Sequence, residues 1–331
     1  MRPPEHWHLS RRSQSSRWPR LAALGTFLVA AIALTAWCRP FGAGQEAQPP
    51  AAVAGGGCSG GANCVESPPT SVIVSNVPPP SIRGKSAVVI ESSCDALLFA
   101  FNGDRRLPPA SLTKIATALV AAERADLADI VDVKVNSALM AASTGSTVMG
   151  LEPGMRLSMR DLLYGLLLPS GNDAAIAIAQ EVAGSVPAFV ELMNQNVASM
   201  GLQNTHFTNP HGLDEIGLYT SARDIAELGR ALLDRPELAA IVRAKQYQPA
   251  WNGPQVWTGN ELLDQYPGAV GVKIGYTDKA GQTIVGAATR DGRLLIVSVL
   301  SSWDRYADAT ALLDWAFTNT QPACAGSVFS R

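Results

Sequence analysis

Apolar residues along this chain keep two rhythms, a helical one through the middle and a strand-like one at both ends. Leu112, Ile115, Ala116, Leu119 and Val120 recur at i, i+3, i+4, i+7 and i+8, the stripe of a buried amphipathic helix reaching residue 123. Pro108 and Pro109 cannot sit inside it, so it starts at Ala110 or Ser111. Leu162, Leu163, Leu166 and Leu167 mark a second helix. Ser158 opens it, with Asp161 three residues on as capping partner, and Pro169 stops it. Residues 174–182 are nearly all apolar, which predicts an interior helix ending at Gly184. Another amphipathic helix covers 187–200 and closes at Gly201. Thr220 or Ser221 caps the next, with Ile225, Leu228 and Leu232 on one side. A last helix over 304–317 carries Ala307, Leu312, Leu313 and Trp315.

Strands are predicted at 87–90 and 97–101, the second followed by Asn102-Gly103-Asp104 turn chemistry. The stretch 268–277 reads as a strand, and the β-branched runs 283–289 and 294–300 flank Asp291-Gly292, a hairpin signal. Residues 126–157 show neither rhythm and read as loop. Strands, helices, strands and a final helix argue an α+β domain over 86–320 whose antiparallel sheet draws on both ends of the chain, with 321–331 as a tail. No internal repeat is visible.

The 331 residues leave room for one such domain of about 230–240 residues plus extensions. Charged residues are 16 % and the net charge is −2, with no basic run beyond the N-terminus, so no nucleic-acid partner is expected. Residues 1–20 carry Arg2, Arg11, Arg12, Arg17 and Arg20 against the single acid Glu5, and 21–38 is an uncharged apolar run. Such a pair is a signal peptide or a signal-anchor that leaves the basic segment in the cytoplasm and exports the rest to the periplasm or cell-wall side. The run is long enough to span a bilayer, and the nearest small-x-small site ends only at Gly44, which favours an anchor. Trp37 before Cys38 is too bulky for a lipoprotein site. Residues 39–85 are rich in Pro, Gly, Ala and Ser and read as a disordered linker. Cys58, Cys64, Cys94 and Cys324 remain for an oxidising compartment. Four cysteines allow three connectivities; the Gly-rich spacing suggests Cys58 with Cys64, leaving Cys94 with Cys324. Only four histidines exist, none near these cysteines, so no metal site is expected.

Three polar elements carry candidate chemistry. Ser111 and Lys114 lie one helical turn apart on the flank of the first stripe, Ser170-Gly171-Asn172 sits on the turn between two core helices, and Lys273-Ile274-Gly275 lies on a strand. A serine at a helix start is ordinarily an N-cap and a helix lysine a solvated cation. The three motif types together, S-x-x-K, S-x-N and K-x-G, change that reading. A serine hydroxyl needs a base to become a nucleophile, and Lys114 can serve if burial and the charge of Lys273 keep it neutral. Ser170 can relay a proton between Lys114 and a leaving amine, Asn172 can orient a substrate amide, and Lys273 offers a cation to a substrate carboxylate. The backbone N–H groups of Ser111 and Tyr276 suit an oxyanion. His211 invites a Ser-His-Asp reading, yet a histidine in a Pro-His-Gly loop reads as structural.

Pro-Ala-Ser-Leu-Thr-Lys (109–114), Leu-Pro-Ser-Gly-Asn-Asp-Ala-Ala (168–175), Asn-Pro-His-Gly-Leu (209–213), Tyr-Thr-Ser-Ala-Arg-Asp (219–224) and Gly-Val-Lys-Ile-Gly-Tyr-Thr (271–277) resemble the serine D-Ala-D-Ala carboxypeptidases, the low-molecular-mass penicillin-binding proteins, over roughly 86–318. The resemblance implies a β-lactamase/transpeptidase-like fold, a helical subdomain beside an antiparallel sheet. It implies Ser111 as acylated nucleophile, Lys114 as base, Ser170 and Asn172 in the second motif, and Lys273, Gly275 and Thr277 in the third. The implied substrate is the D-Ala-D-Ala end of peptidoglycan stem pentapeptides, with penicillins and other β-lactams acylating Ser111 as mimics and no cofactor. Ile274 departs from the threonine usual there and removes one hydroxyl. Few residues follow Phe317, so the C-terminal β domain and anchor of many relatives are expected to be absent, with the N-terminal segment holding the membrane instead. A D,D-endopeptidase acting on cross-links would use the same site. A class A β-lactamase would need a glutamate in an E-x-x-L-N loop, and no glutamate between Asn172 and Lys273 is followed by that pattern. An inactive penicillin-binding wall protein is the non-enzyme alternative, against which the intact nucleophile, base and relay positions argue.

Overall fold

Both faces of the central sheet are covered, which is why its strands read as unbroken apolar runs rather than alternating ones. The computed structural model describes residues 76–94, 96–250 and 253–321. The basic segment, the apolar run 21–38, Cys58, Cys64 and Cys324 lie outside the described residues.

In chain order, β1 (Ser86–Glu91) and β2 (Ala96–Phe101) precede a 3₁₀ turn (Ala110–Leu112) and α1 (Thr113–Arg124). Next come β3 (Ile130–Asp132), α2 (Ser137–Thr144), β4 (Arg156–Ser158), α3 (Met159–Leu167), α4 (Asn172–Ala183) and α5 (Val186–Ser199). Then α6 (Ala222–Leu233), α7 (Pro236–Arg243), β5 (Gln246–Tyr247), β6 (Val256–Trp257) and α8 (Leu262–Gln265) lead to β7 (Ala269–Thr277), β8 (Gly281–Arg290), β9 (Arg293–Ser302) and α9 (Arg305–Asn319). The stretch expected to be loop, 126–157, therefore holds two short strands and α2; β3 pairs β4 through Val131 opposite Leu157.

The main sheet has the order β2-β1-β9-β8-β7 and is antiparallel throughout, so the two ends of the domain meet where Val89 faces Val297. Asp291 and Gly292 both take positive φ, 52° and 78°, the conformation that lets a two-residue turn follow the twist of β8 and β9. Val88, Val285 and Ile296 face the helices, whereas Val89, Ile284 and Val297 face Leu312 and Leu313 of α9. On the helical side α1 is buried from Thr113 to Ala121 and packs against α3, α4, α5 and α6. Trimming a buried residue such as Ile115 to alanine would cost about 2–5 kcal/mol. Ser158 and Asp161 form the expected capping box at the start of α3, and Gly184 ends α4 in the left-handed region.

Residues 76–85, the end of the stretch read as linker, form no strand or helix but lie against α9. The N–H groups of Arg83 and Gly84 donate to the Asp308 carboxylate at 2.9 and 2.8 Å, and Trp315 Nε1 donates to the Val77 carbonyl at 3.0 Å. Cys94, in the β1–β2 turn, is disulfide-bonded. Arg293 pairs with Glu91 at 3.0 Å and also donates to the Thr320 carbonyl at 3.0 Å, so the last described residues run beside this hairpin.

Candidate active site

The 3₁₀ turn that begins the central helix presents Ser111 to a cleft of about 700 Å³ between the helices and the edge strand β7. Ser111 is not a cap: no side-chain capping bond is made at this helix start. Ala110, just before it, takes φ 51°, a conformation costly for a residue with a Cβ. The surroundings hold it there. Thr283 Oγ1 donates to the Pro109 carbonyl at 3.2 Å, and Gly212, at φ 91°, leaves no room for a side chain against the Ala110 carbonyl. Gly275 of β7 comes so near that a Cβ on it would stand 2.8 Å from the Ser111 nitrogen. The Ser111 N–H thus faces the strand, beside the position of the Tyr276 backbone.

Lys114 lies beneath Ser111, fully buried. Its Nζ is 2.9 Å from Ser111 Oγ, 2.7 Å from Asn172 Oδ1 and 2.7 Å from the His211 carbonyl. Burial above all, and the charge of Lys273 next, hold this amine well below the ordinary lysine range; Asp173 opposes the shift. A neutral amine has two N–H groups and one lone pair. In its neutral form Lys114 can give both N–H groups to the two carbonyl oxygens and turn its lone pair to the serine hydroxyl; as a cation it donates to all three.

Ser170 sits at φ 67° on the α3–α4 turn, its Oγ buried and without a hydrogen-bond partner among the described residues. Asn172 opens α4 and gives its carbonyl to Lys114, so it positions that amine as well as lining the cleft. Lys273 is 2 % exposed and donates to the Ile274 carbonyl at 3.0 Å; burial, then the neighbouring Arg305 guanidinium, bring it down to about 7. Tyr276 lines the cleft with its ring largely exposed. Thr277 lines it too, but its hydroxyl donates to Asp214 Oδ1 at 2.8 Å rather than standing free for a ligand. Ile274 packs into the cluster beneath the sheet while reaching the cleft rim.

His211 contributes its backbone, not its ring. Nδ1 accepts the Leu213 N–H at 3.2 Å, and burial, then Lys114, drive the imidazole down to about 3, so it stays uncharged.

Three cleft residues have no signal in the sequence. Arg305, at the start of α9, donates to the Gly275 carbonyl at 2.6 Å and the Thr283 carbonyl at 3.1 Å, clamping β7 against β8. Asp214 bridges the 209–214 loop to the β7–β8 turn. Thr147 accepts the Asn172 N–H at its carbonyl, 2.9 Å, and forms part of the wall opposite β7. Among the described residues no cluster of His, Cys, Asp or Glu could hold a metal ion.

The chain as a whole is similar to known proteins. The family described as D-alanyl-D-alanine carboxypeptidase matches over residues 73–303. D-alanyl-D-alanine carboxypeptidase DacA of Escherichia coli K12 is 39 % identical over 72 % of this chain and 62 % of its own length. DacF of Bacillus subtilis is 36 % identical over 71 % and 62 %, and DacB2 of Mycobacterium tuberculosis 34 % identical over 76 % and 89 %. This chain thus spans less than two thirds of the first two relatives. Among solved structures, the Streptomyces K15 DD-transpeptidase superposes with a TM-score of 0.70 at 29 % identity, covering 73 % of this chain and all of that one. Penicillin binding protein 5 of Haemophilus influenzae gives 0.68 at 36 % identity, covering 73 % of each. The expected fold is therefore shown, and the chain belongs to the D-alanyl-D-alanine carboxypeptidase family.

Proposed function

We propose that this chain is a serine D,D-carboxypeptidase that removes the terminal D-Ala from peptidoglycan stem pentapeptides. The observation that carries the reading is the Lys114 amine, buried, 2.9 Å from Ser111 Oγ and held by two carbonyl oxygens. Ser111 Oγ attacks the carbonyl carbon of the D-Ala-D-Ala bond while Lys114 takes its proton. The oxyanion accepts from the N–H groups of Ser111 and Tyr276. Ser170, whose hydroxyl has no competing partner, passes the proton from Lys114 to the departing D-Ala amine as the C–N bond breaks. Water then gives a proton to Lys114 and attacks the ester, releasing the shortened peptide and restoring Ser111. Lys273, with Arg305 behind it, attracts the terminal carboxylate. β-Lactams, whose strained amide and carboxylate match the same positions, acylate Ser111.

We also propose that the domain works outside the cytoplasm, held at the membrane by the N-terminal apolar run. The basic segment before that run and the disulfide at Cys94 support this.

The test is incubation of the purified chain with fluorescent penicillin, adduct mapping by mass spectrometry, and D-Ala release from a stem pentapeptide. A label on Ser111, absent in Ser111→Ala together with D-Ala release, is the expected result. A folded protein that neither labels nor releases D-Ala refutes the reading, and cleavage of cross-linked dimers in preference to pentapeptide would make it an endopeptidase.

A further inference from the structure

The residue after the second motif, Asp173, is completely buried, and among the described residues its carboxylate forms no ion pair. It accepts the N–H groups of Met149, Gly150 and Leu151 at 2.9–3.1 Å, that of Ala174 at 2.9 Å, and the hydroxyl of Ser137. Three successive backbone N–H groups turned onto one anion form a nest, and the N-terminal turn of α4 adds its dipole on the same side. Residues 145–151 have no helix or strand to fix them; this carboxylate gathers 149–151, while the Asn172 N–H on the Thr147 carbonyl and the Ser137 N–H on the Leu151 carbonyl, both 2.9 Å, hold the loop beside it. The loop's leading edge, Thr144 to Thr147, is the cleft wall facing β7. On its other side Asp173 follows Asn172, which holds the Lys114 amine.

We propose that Asp173 is a positioning residue for this site: its carboxylate builds the wall opposite β7 and, one residue from the Asn172 carbonyl that holds Lys114, places a negative charge on that side of the amine. The proposal rests on the carboxypeptidase reading. Around Lys114 stand one cation, Lys273 on β7, one anion, Asp173 on α4, and the uncharged His211 from the 209–213 loop. With Asp173 neutral, Lys273 acts unopposed and Lys114 gives up its proton more readily. The carboxylate thus ties two properties together, wall position and the proton affinity of the base. A purely architectural residue would alter only the first.

The decisive comparison uses the full chain with Asp173→Asn and Ser137→Ala. Asp173→Asn keeps the size and removes the charge. Ser137→Ala removes one donor and leaves the charge. Acylation of Ser111 by fluorescent penicillin is followed from pH 4 to 9, with KM and kcat for D-Ala release. For Asp173→Asn, KM rises at least fivefold and the acid limb of the acylation profile moves to lower pH. Ser137→Ala raises KM severalfold with the acid limb unmoved. An Asp173→Asn protein altered only in Tm, with wild-type KM and pH profile, overturns the proposal. Should that variant fail to fold, an unchanged KM in Ser137→Ala overturns it alone. Failure of wild-type protein to label at Ser111 would instead sink the underlying reading, independently of either variant.

Discussion

Gly275 shows how little space separates Ser111, the proposed nucleophile, from strand β7. A methyl group there would stand 2.6 Å from Thr283 Oγ1 and 2.8 Å from the Ser111 nitrogen, and neither neighbour can retreat because both belong to the anchored frame around Pro109 and Ala110. Gly275→Ala should therefore displace β7 from the Ser111 N–H, lower the acylation rate about 10²–10³-fold, the loss typical of one oxyanion donor, and lower stability by about 1–3 kcal/mol as the overpacked strand shifts. Burst kinetics with fluorescent penicillin measure this directly. The adjacent Ile274 gives a prediction of opposite sign. The Thr277 hydroxyl is occupied by Asp214, and Ile274 has none to offer, so β7 itself presents no free hydroxyl donor to the carboxylate of the proposed substrate. Ile274→Thr should speed penicillin acylation by about tenfold, the worth of one hydrogen bond to a charged group. No gain in rate would mean that Lys273 and Arg305 already satisfy the carboxylate.

At the scale of elements, α3 is held by one acid with two tasks. Asp161 accepts from the Ser158 hydroxyl at 2.8 Å at the helix start, and its second oxygen accepts the Tyr247 hydroxyl at 2.9 Å and the Ala250 N–H at 3.1 Å. Tyr247 in turn stacks on Tyr164 of α3 with ring centroids 3.6 Å apart. Asp161→Ala should cost about 2–4 kcal/mol, loosening both the cap and the β5 segment, while Ser111 still labels below the melting point. Calorimetry and amide exchange at Ala250 check the two effects. The first task was legible in the sequence, because a capping box is a four-residue pattern; the second was not, because Tyr247 lies far along the chain. The same division holds elsewhere. The Asp291-Gly292 hairpin and the α1 stripe are local patterns and appear as expected. Helix α2 has an Asn136 cap and a Gly145 stop, yet it is half exposed and its apolar residues keep no helical stripe, so 126–157 reads as loop. Helix α7 begins at Pro236 and is not among the elements the apolar rhythm predicts; its eight residues carry only Leu238, Ile241 and Val242 as a buried stripe. In the site, Ser111 with Lys114 follows from helical spacing, whereas the hold of Asn172 and His211 on Lys114 requires the folded chain.

For the whole molecule, the site is a cost that the fold carries. Two lysines lie buried among the helices and the sheet, and Arg305 stands behind one of them. Lys273 falls from 10.5 to about 7 on folding, chiefly through burial. Because the folded value is the lower one, the unfolded chain binds more protons between these two pH values, and stability rises with pH across that window. Below about 7 the folded protein bears the full penalty of a buried cation. Lys114 acts in the same direction. Substrate affinity should move the opposite way, since a neutral Lys273 no longer attracts a carboxylate: KM for D-Ala-terminated peptides should climb above pH 7, while an esterified analogue should show no such rise. Lys273→Met separates the two. Exchanging a buried charge for an apolar side chain of similar length should stabilise the domain by about 1–4 kcal/mol at pH 6 while abolishing D-Ala release. Melting curves of wild type and variant from pH 6 to 10 should draw together as pH rises, because the folded wild-type lysine loses its charge above about 7 while the unfolded one keeps its proton until about 10.5. Curves that stay parallel would place the cost of the site in some group other than Lys273.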